Sequence, residues 1–204
     1  MRKRKSRIQD IKELTDLLPK HSYSGEGNPM EPVNLIIIGN KRFLVSHFKQ
    51  HGWYRADKIG AVSLSKALVA AIFDRSYRAG PMADSYLAGH HFTLAFEKPT
   101  KADTFRRRHH LRLWRTPYKI MGRRVWAGTV SYDRAAGTHD GVLPTHHIAP
   151  TLSWEEGFLA GSLGINRPRH LTLDEPYKGE LNNGDTYDYD GKALVLDLSG
   201  FELS

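Results

Sequence analysis

Two rhythms of apolar and polar positions run along the chain and divide it into helical and extended stretches. Residues 33–38 form a short continuous apolar run closed by Gly39 and Asn40, the pattern of a strand covered on both faces. Residues 41–51 then set Leu44, His47, Phe48 and His51 on one helical face, with Gly52 as the stop. Residues 63–75 repeat that rhythm, with Leu64, Ala67, Leu68, Ala71 and Ile72 at amphipathic-helix spacing. Beyond Tyr86 the pattern turns to strands at 91–96, 107–114 and 124–132, separated by turn-compatible stretches at 98–101 and 116–122. Pro150 and Ser153, with Glu156 three residues on, predict a helix whose Trp154, Phe158, Leu159 and Leu163 face inward and which stops at Gly164. Residues 171–173 and 193–198 are further strands, the last entered through the turn dipeptide Asp190-Gly191.

At the N-terminus, Ser6 and Gln9 have capping-box spacing, and Ile8, Ile11, Thr15 and Leu18 recur at helical intervals before Pro19. The stripe is modest, which suits docking on the chain's own domain better than lying on a bilayer. Residues 20–32, rich in Gly, Pro, Ser and Asn, read as a linker. The expected organisation is therefore a basic arm, short helix and linker over 1–30, then one α+β domain over 31–204. Its mixed, largely antiparallel sheet would be packed by roughly three helices.

Composition narrows the classes. A chain of 204 residues with 40% hydrophobic content can bury a full core. With no cysteine, thiolate zinc sites and cysteine nucleophiles are excluded. No apolar run approaches a membrane span, and Gln9, Asp10, Lys12 and Glu13 interrupt any signal-peptide core, so a soluble, cytoplasmic protein is expected. The net charge of +8 is uneven: +7 over residues 1–89, +8 over 90–124 and −7 over 125–204. Arg2, Lys3, Arg4, Lys5 and Arg7 make a basic arm that is either a solvated tail or a nonspecific binder of anionic lipid or nucleic-acid phosphate. The reversal of charge beyond residue 124 makes nucleic acid the weakest of these partners.

The second basic cluster carries the candidate chemistry. Alternation on the 107–114 strand separates Arg108, His110, Arg112 and Trp114 from Arg107, His109, Leu111 and Leu113. The leucine face is core, which leaves a row of cations about 7 Å apart. Such a row either grips an anion, as guanidinium groups grip phosphate, or is satisfied by a cross-strand ladder to Asp133, Glu155 or the acidic last third. A second arrangement joins His146 and His147 to Asp133 and to His109 or His110, enough donors for a divalent metal such as zinc or iron. Adjacent histidines on a strand point to opposite faces, so each pair offers one ligand to a common point. A third pattern, His91-Phe92-Thr93 and His170-Leu171-Thr172, resembles the signature of the two-histidine phosphoesterases, where the histidines act as base and acid.

The segments 32–35, 52–53, 94–98, 107–114 (Arg-Arg-His-His-Leu-Arg-Leu-Trp), 125–128 (Val-Trp-Ala-Gly), 131–134 (Ser-Tyr-Asp-Arg), 145–148 (Thr-His-His-Ile) and 190–191 together resemble the LssY C-terminal domain family, in order, from about residue 31 to 198. The resemblance carries over His109, His110, Arg112, Trp114, Asp133, Arg134, His146 and His147 as the residues of interest. It implies a domain that occurs alone or appended to membrane proteins of the phosphatidic-acid-phosphatase or DedA type, and it names no reaction. Where the family pattern has acidic residues after the His-His-Ile segment and an acid-Arg pair in the following helix, this chain has Ala149, Thr151, Ser153 and Glu155-Glu156, which points to a binding-only version.

The expectation is a binding domain in which Arg108, His110, Arg112, Trp114 and Arg134, with the His146-His147 loop, receive an anionic, phosphate-bearing ligand. A lipid headgroup is favoured, with peripheral membrane contact through the arm. The alternatives are a metal-assisted hydrolase using Asp133 and the histidine pairs, a two-histidine phosphoesterase using His91 and His170, and a non-catalytic adaptor whose polar row is internally satisfied.

Overall fold

A computed structural model describes residues 7–56, 82–100, 107–139 and 143–198; the helix expected over 63–75 and basic residues 2–5 of the arm lie outside the described residues. The apolar run near residue 35 becomes strand β4 (Leu35–Ile38), every residue of which is buried. It runs parallel to β15 (Lys192–Asp197) and antiparallel to β10 (Arg123–His139). Asn34 splices the second pairing from the side. Its amide donates to the Val130 carbonyl at 2.9 Å, and its carbonyl accepts from the Val130 N–H at 2.8 Å.

Among the described residues the main sheet has nine strands. Its order is β12 (Arg169–Thr172), β15, β4, β10, β9 (Arg108–Ile120), β8 (Leu94–Pro99) and β5 (Tyr54–Arg55), with β1 (Arg7–Ile8) beside β9 and β11 (Leu143–Ile148) beside β10. β9 and β10 are longer than expected, because the stretch at 116–122 is not a loop. Strand β9 continues through Pro117, exposed in a bulge where Thr116 donates to the Val125 carbonyl at 2.7 Å. A bulge tolerates a residue without an N–H. The hairpin closes on Met121 and Gly122, both with positive φ (48° and 80°), as a two-residue type I′ turn requires.

Both faces of the sheet are covered. One carries Leu35, Ile37, Leu111, Leu113, Trp126 and Val130 against α2 (Lys41–Gln50) and α3 (Leu152–Ser162). The other carries Ile36, Ile38, Trp114, Tyr118 and Val125 against Ile8, Leu14 and Leu18 of the N-terminal segment and Leu87 of a second, four-stranded sheet. That sheet runs β3 (Pro29–Pro32), β2 (His21–Tyr23), β6 (Tyr86–Leu87), β7 (His90–His91). A hairpin of β13 (Tyr177–Glu180) and β14 (Thr186–Tyr189) completes the set. The fold is a single α+β domain with a mixed, mostly antiparallel sheet and three helices among the described residues, α1 (Leu14–Leu17) being the shortest.

Three local expectations change. The capping box sits at Asp10 and Glu13 rather than Ser6 and Gln9, because Arg7 and Ile8 pair with β9 and the helical turn starts after them. The stretch read as linker contributes β2 and β3, whose Ser22 and Glu31 are buried. Helix α3 starts after Thr151 and buries Leu152, Glu155, Glu156, Leu159 and Ala160. This phase turns Trp154 out to 76% exposure, so that aromatic does not face inward, whereas Phe158, 37% exposed, packs against Trp53 and the sheet-borne His109.

Candidate functional site

Alternation on β9 places Arg108, His110, Arg112 and Trp114 on the sheet face away from α2 and α3, and the small sheet closes over that face. The three cations are therefore buried, at 3–5% exposure, instead of standing in an open hollow. A buried charge survives only if paired and hydrogen-bonded. Here each of the three cations has a carboxylate partner from within the chain.

Going along the row, signs alternate without a gap. Glu97 on β8 meets Arg108 Nη1 at 2.9 Å; Arg108 Nε donates to Asp133 Oδ2 at 3.1 Å; and Asp133 Oδ1 lies 3.1 Å from His110 Nδ1. His110 Nε2 lies 3.2 Å from Glu31 Oε1, and Arg112 Nη1 donates to both Glu31 oxygens at 3.2 and 3.1 Å. The Ser131 hydroxyl, 2.8 Å from His110 Nε2, donates to Glu31 Oε1 at 3.0 Å. Strand register explains most of this, since Glu97 and Ser131 both stand opposite His110, and Asp133 opposite Arg108. Glu31 comes from β3, a different sheet.

Burial alone would raise the Glu31 carboxyl, but the Arg112 charge, with the hydrogen bonds of His110 and Ser131, overrides it and brings the pKa down to about 2. Burial alone would lower His110; Asp133 beside it and the bond to Glu31 push it up to about 9 instead. At neutral pH His110 is thus an imidazolium, and the six groups carry three positive and three negative charges.

This fixes what the cluster can do chemically. Ser131, His110 and Asp133 are connected in the order of a Ser-His-Asp triad. A histidine that already holds its proton cannot take the serine's, and Ser131 is fully buried with its hydroxyl spent on Glu31. The arrangement is a charge-balanced network and not a nucleophile–base pair.

Beside the network lies a cavity of about 250 Å³. Glu31, Arg108, His110, Arg112 and Asp133 form its charged side; Met30, Met82, Ile148 and Leu181 its apolar side; and Ser24, Asn182 and Asn183 complete the rim. Arg112 devotes one nitrogen, Nη1, to Glu31, while its Nε is buried without a hydrogen-bond partner.

The other candidates separate. Trp114 packs in the apolar cluster under the N-terminal segment and does not reach the cavity. His109 faces the helices, 2.7 Å from Glu155 and stacked on Phe158 at 3.6 Å between ring centres. His147 Nδ1 lies 2.9 Å from Asp185 Oδ1, and exposed Arg134 pairs with the same oxygen at 3.5 Å. Asp185 also accepts from the Ile148 N–H at 2.9 Å and from Asn183 at 3.0 Å, so it fastens the rim to β11. His146 is on β11 opposite Ala136, and its side chain is outside the described residues.

Of the metal arrangement built on His109, His110, Asp133, His146 and His147, the described side chains do not converge. His109 is on the far face, Asp133 is committed to Arg108 and His110, and His147 has its own carboxylate. Among the described residues no group of three metal-binding side chains converges. His91 and His170 do not meet either: His91 pairs with Asp84 at 2.9 Å, His170 with Glu156 at 3.3 Å.

With this geometry in hand, the comparison with known families is decisive on kinship. The model described as "LssY C-terminus" matches residues 15–193. The chain belongs to the LssY C-terminus family. No curated protein and no solved structure matches it. The match starts ahead of the boundary expected near residue 31, and it takes in β2 and β3 of the small sheet. Within this LssY C-terminal domain, sequence reasoning missed Glu31 and Glu97 as functional neighbours of the row. Glu97 carried a usable signal, an acid between Phe96 and Lys98 in a strand whose alternation puts it on the Ala95 face. Glu31 carried none, because its surroundings read as turn.

Proposed function

We propose that this LssY C-terminal domain binds a small molecule through a singly charged oxyanion, with a phosphodiester of headgroup size as the favoured ligand. The observation that carries the reading is Arg112, which lines the cavity while its buried Nε has no partner. A guanidinium offers five donors in a fixed fork, so an arginine that spends one nitrogen on its carboxylate retains directional capacity for an acceptor oxygen.

Charge balance sets the ligand's charge. A zero-sum network offers oriented donors without excess positive charge, which suits a monoanion better than a dianion. The cavity volume of about 250 Å³ sets the size, just below the usual range for small-molecule sites. That is room for a glycerophosphodiester but not for two acyl chains. Met30, Met82, Ile148 and Leu181 would take the organic substituents.

Calorimetric titration of the full chain tests this. Glycerophosphoglycerol should bind, glycerol 3-phosphate more weakly, and glycerol not at all. Arg112→Lys keeps the charge and loses the fork, and should weaken the diester about tenfold or more, the equivalent of one charge-assisted hydrogen bond. Equal responses to the diester and to glycerol, or an unchanged affinity in Arg112→Lys, would overturn the reading.

A further inference from the structure

The far end of the β9–β10 hairpin carries a different surface. Arg7 stands opposite Lys119 in the β1–β9 pairing, and Lys119 stands opposite Arg124 in the β9–β10 pairing, which puts three cations in register across three strands. Like charges directly opposite one another are unfavourable unless something neutralises them. No ion pair among the described residues involves Arg7, Lys41, Lys119, Arg123 or Arg124. A second cavity of about 290 Å³ opens here, lined by Lys41, Lys119, Arg123 and Arg124, and none of the described residues in its wall is a carboxylate. At the tip, Met121 is held at φ 48° and is 89% exposed.

We infer that this hairpin end docks on an anionic lipid bilayer, with Met121 entering the interface and the surrounding cations engaging lipid phosphates. An apolar side chain thrust outward beside cations that no described carboxylate pairs matches the two layers of such a surface, phosphates outside and hydrocarbon within. A nucleic acid matches it less well, since single-strand binders present aromatic stacking platforms with their cations, and Phe43, the one aromatic among the described residues of this cavity's wall, is packed against the core. Among the described residues the other strongly exposed apolar side chain, Trp154, stands on helix α3, outside the strand register that brings Arg7, Lys119 and Arg124 together. This docking is independent of the ligand cavity: Ile120 follows His110 by ten residues on one strand, about 33 Å.

The test is co-sedimentation of the full chain with sucrose-loaded vesicles, of phosphatidylcholine alone or mixed with phosphatidylglycerol. Binding is expected only to the mixed vesicles. Lys119→Ser with Arg123→Ser should weaken it about 25-fold, near fivefold per cation. Met121→Ser should weaken it several-fold, with all variants melting as the parent does. A variant with Arg2, Lys3, Arg4 and Lys5 changed to Ser should retain measurable binding. The inference is overturned if the arm variant alone abolishes binding while the tip variants match the parent. Equal binding to pure phosphatidylcholine also overturns it, as does oligonucleotide binding as tight as vesicle binding with no effect of Met121→Ser.

Discussion

Replacing Glu31 by Gln isolates the contribution of one carboxylate to the alternating row. Glutamine keeps the shape and one acceptor oxygen, but it sets an amide donor against Arg112 Nη1 and His110 Nε2, which approach Glu31 at 3.1–3.2 Å. The six-group network passes from neutral to a net charge of one, inside a region where Arg112 and His110 are at most 5% exposed. Removing one partner of a buried pair costs about 3–5 kcal/mol, far more than the pair contributes over an apolar substitute. For a domain of this size each kcal/mol moves Tm by about 2–4 °C, so Glu31→Gln should melt about 6–20 °C below the parent. The deficit should shrink from pH 6 to pH 9, because losing the His110 proton relieves the excess charge. Adding Arg112→Met to Glu31→Gln removes both partners and should cost less than the sum of the two single changes. Thermal melts by circular dichroism, backed by urea titration, read all three. A loss below about 1 kcal/mol, as for an ordinary surface change, would refute the picture of a closed buried network.

Two further outcomes follow from features outside the row. Burial, reinforced by Asp190, pushes the Glu156 carboxyl up to about 9, so the folded state holds a proton that the unfolded chain releases near 4.5. Stability from this site is full below pH 4.5 and falls by about 1.4 kcal/mol per pH unit up to about 9; Glu156→Gln should flatten that slope and melt higher than the parent at pH 8.5. Gly128 lies between β4 and β9, where an added Cβ would sit 2.8 Å from the Arg112 carbonyl oxygen and 2.7 Å from Leu113 Cδ2. Gly128→Ala should therefore cost about 1–3 kcal/mol in urea denaturation, and a neutral result would mean that β9 yields more easily than its two-sided burial suggests.

Much of the scaffold is legible along the chain because it rests on local rhythm. The apolar run around Leu35, the helical face of Leu44 and Phe48, and the alternation of Arg108, His110 and Arg112 against Leu111 and Leu113 each specify an element and its buried side. What alternation cannot supply is what lies over the second face. A row of cations on a strand reads as solvent-facing until a second sheet is known to cover it, and that sheet is drawn from β2 and β3, short segments full of turn residues. Their strand geometry is imposed by tertiary pairing, not by propensity. Glu31 thus becomes the residue that closes the row without any signal of its own. On helix α3 the difference has a related reason: Glu155 and Glu156 occupy buried positions, so Trp154, read as part of the inward stripe, is turned out. The adjacent histidines behaved as strand geometry demands, His109 to the helices and His110 to the network.

The charge state of His110 tests the account most directly. If Asp133 and Glu31 close the row as described, ¹⁵N spectra of histidine-labelled protein should show both ring nitrogens of His110 protonated at neutral pH, with a midpoint near 9. The stability held by this proton should be full below pH 6.5 and lost as the pH rises through that midpoint. A neutral His110 ring at pH 7, titrating at or below 6.5, would contradict the alternating network and the monoanion preference drawn from it.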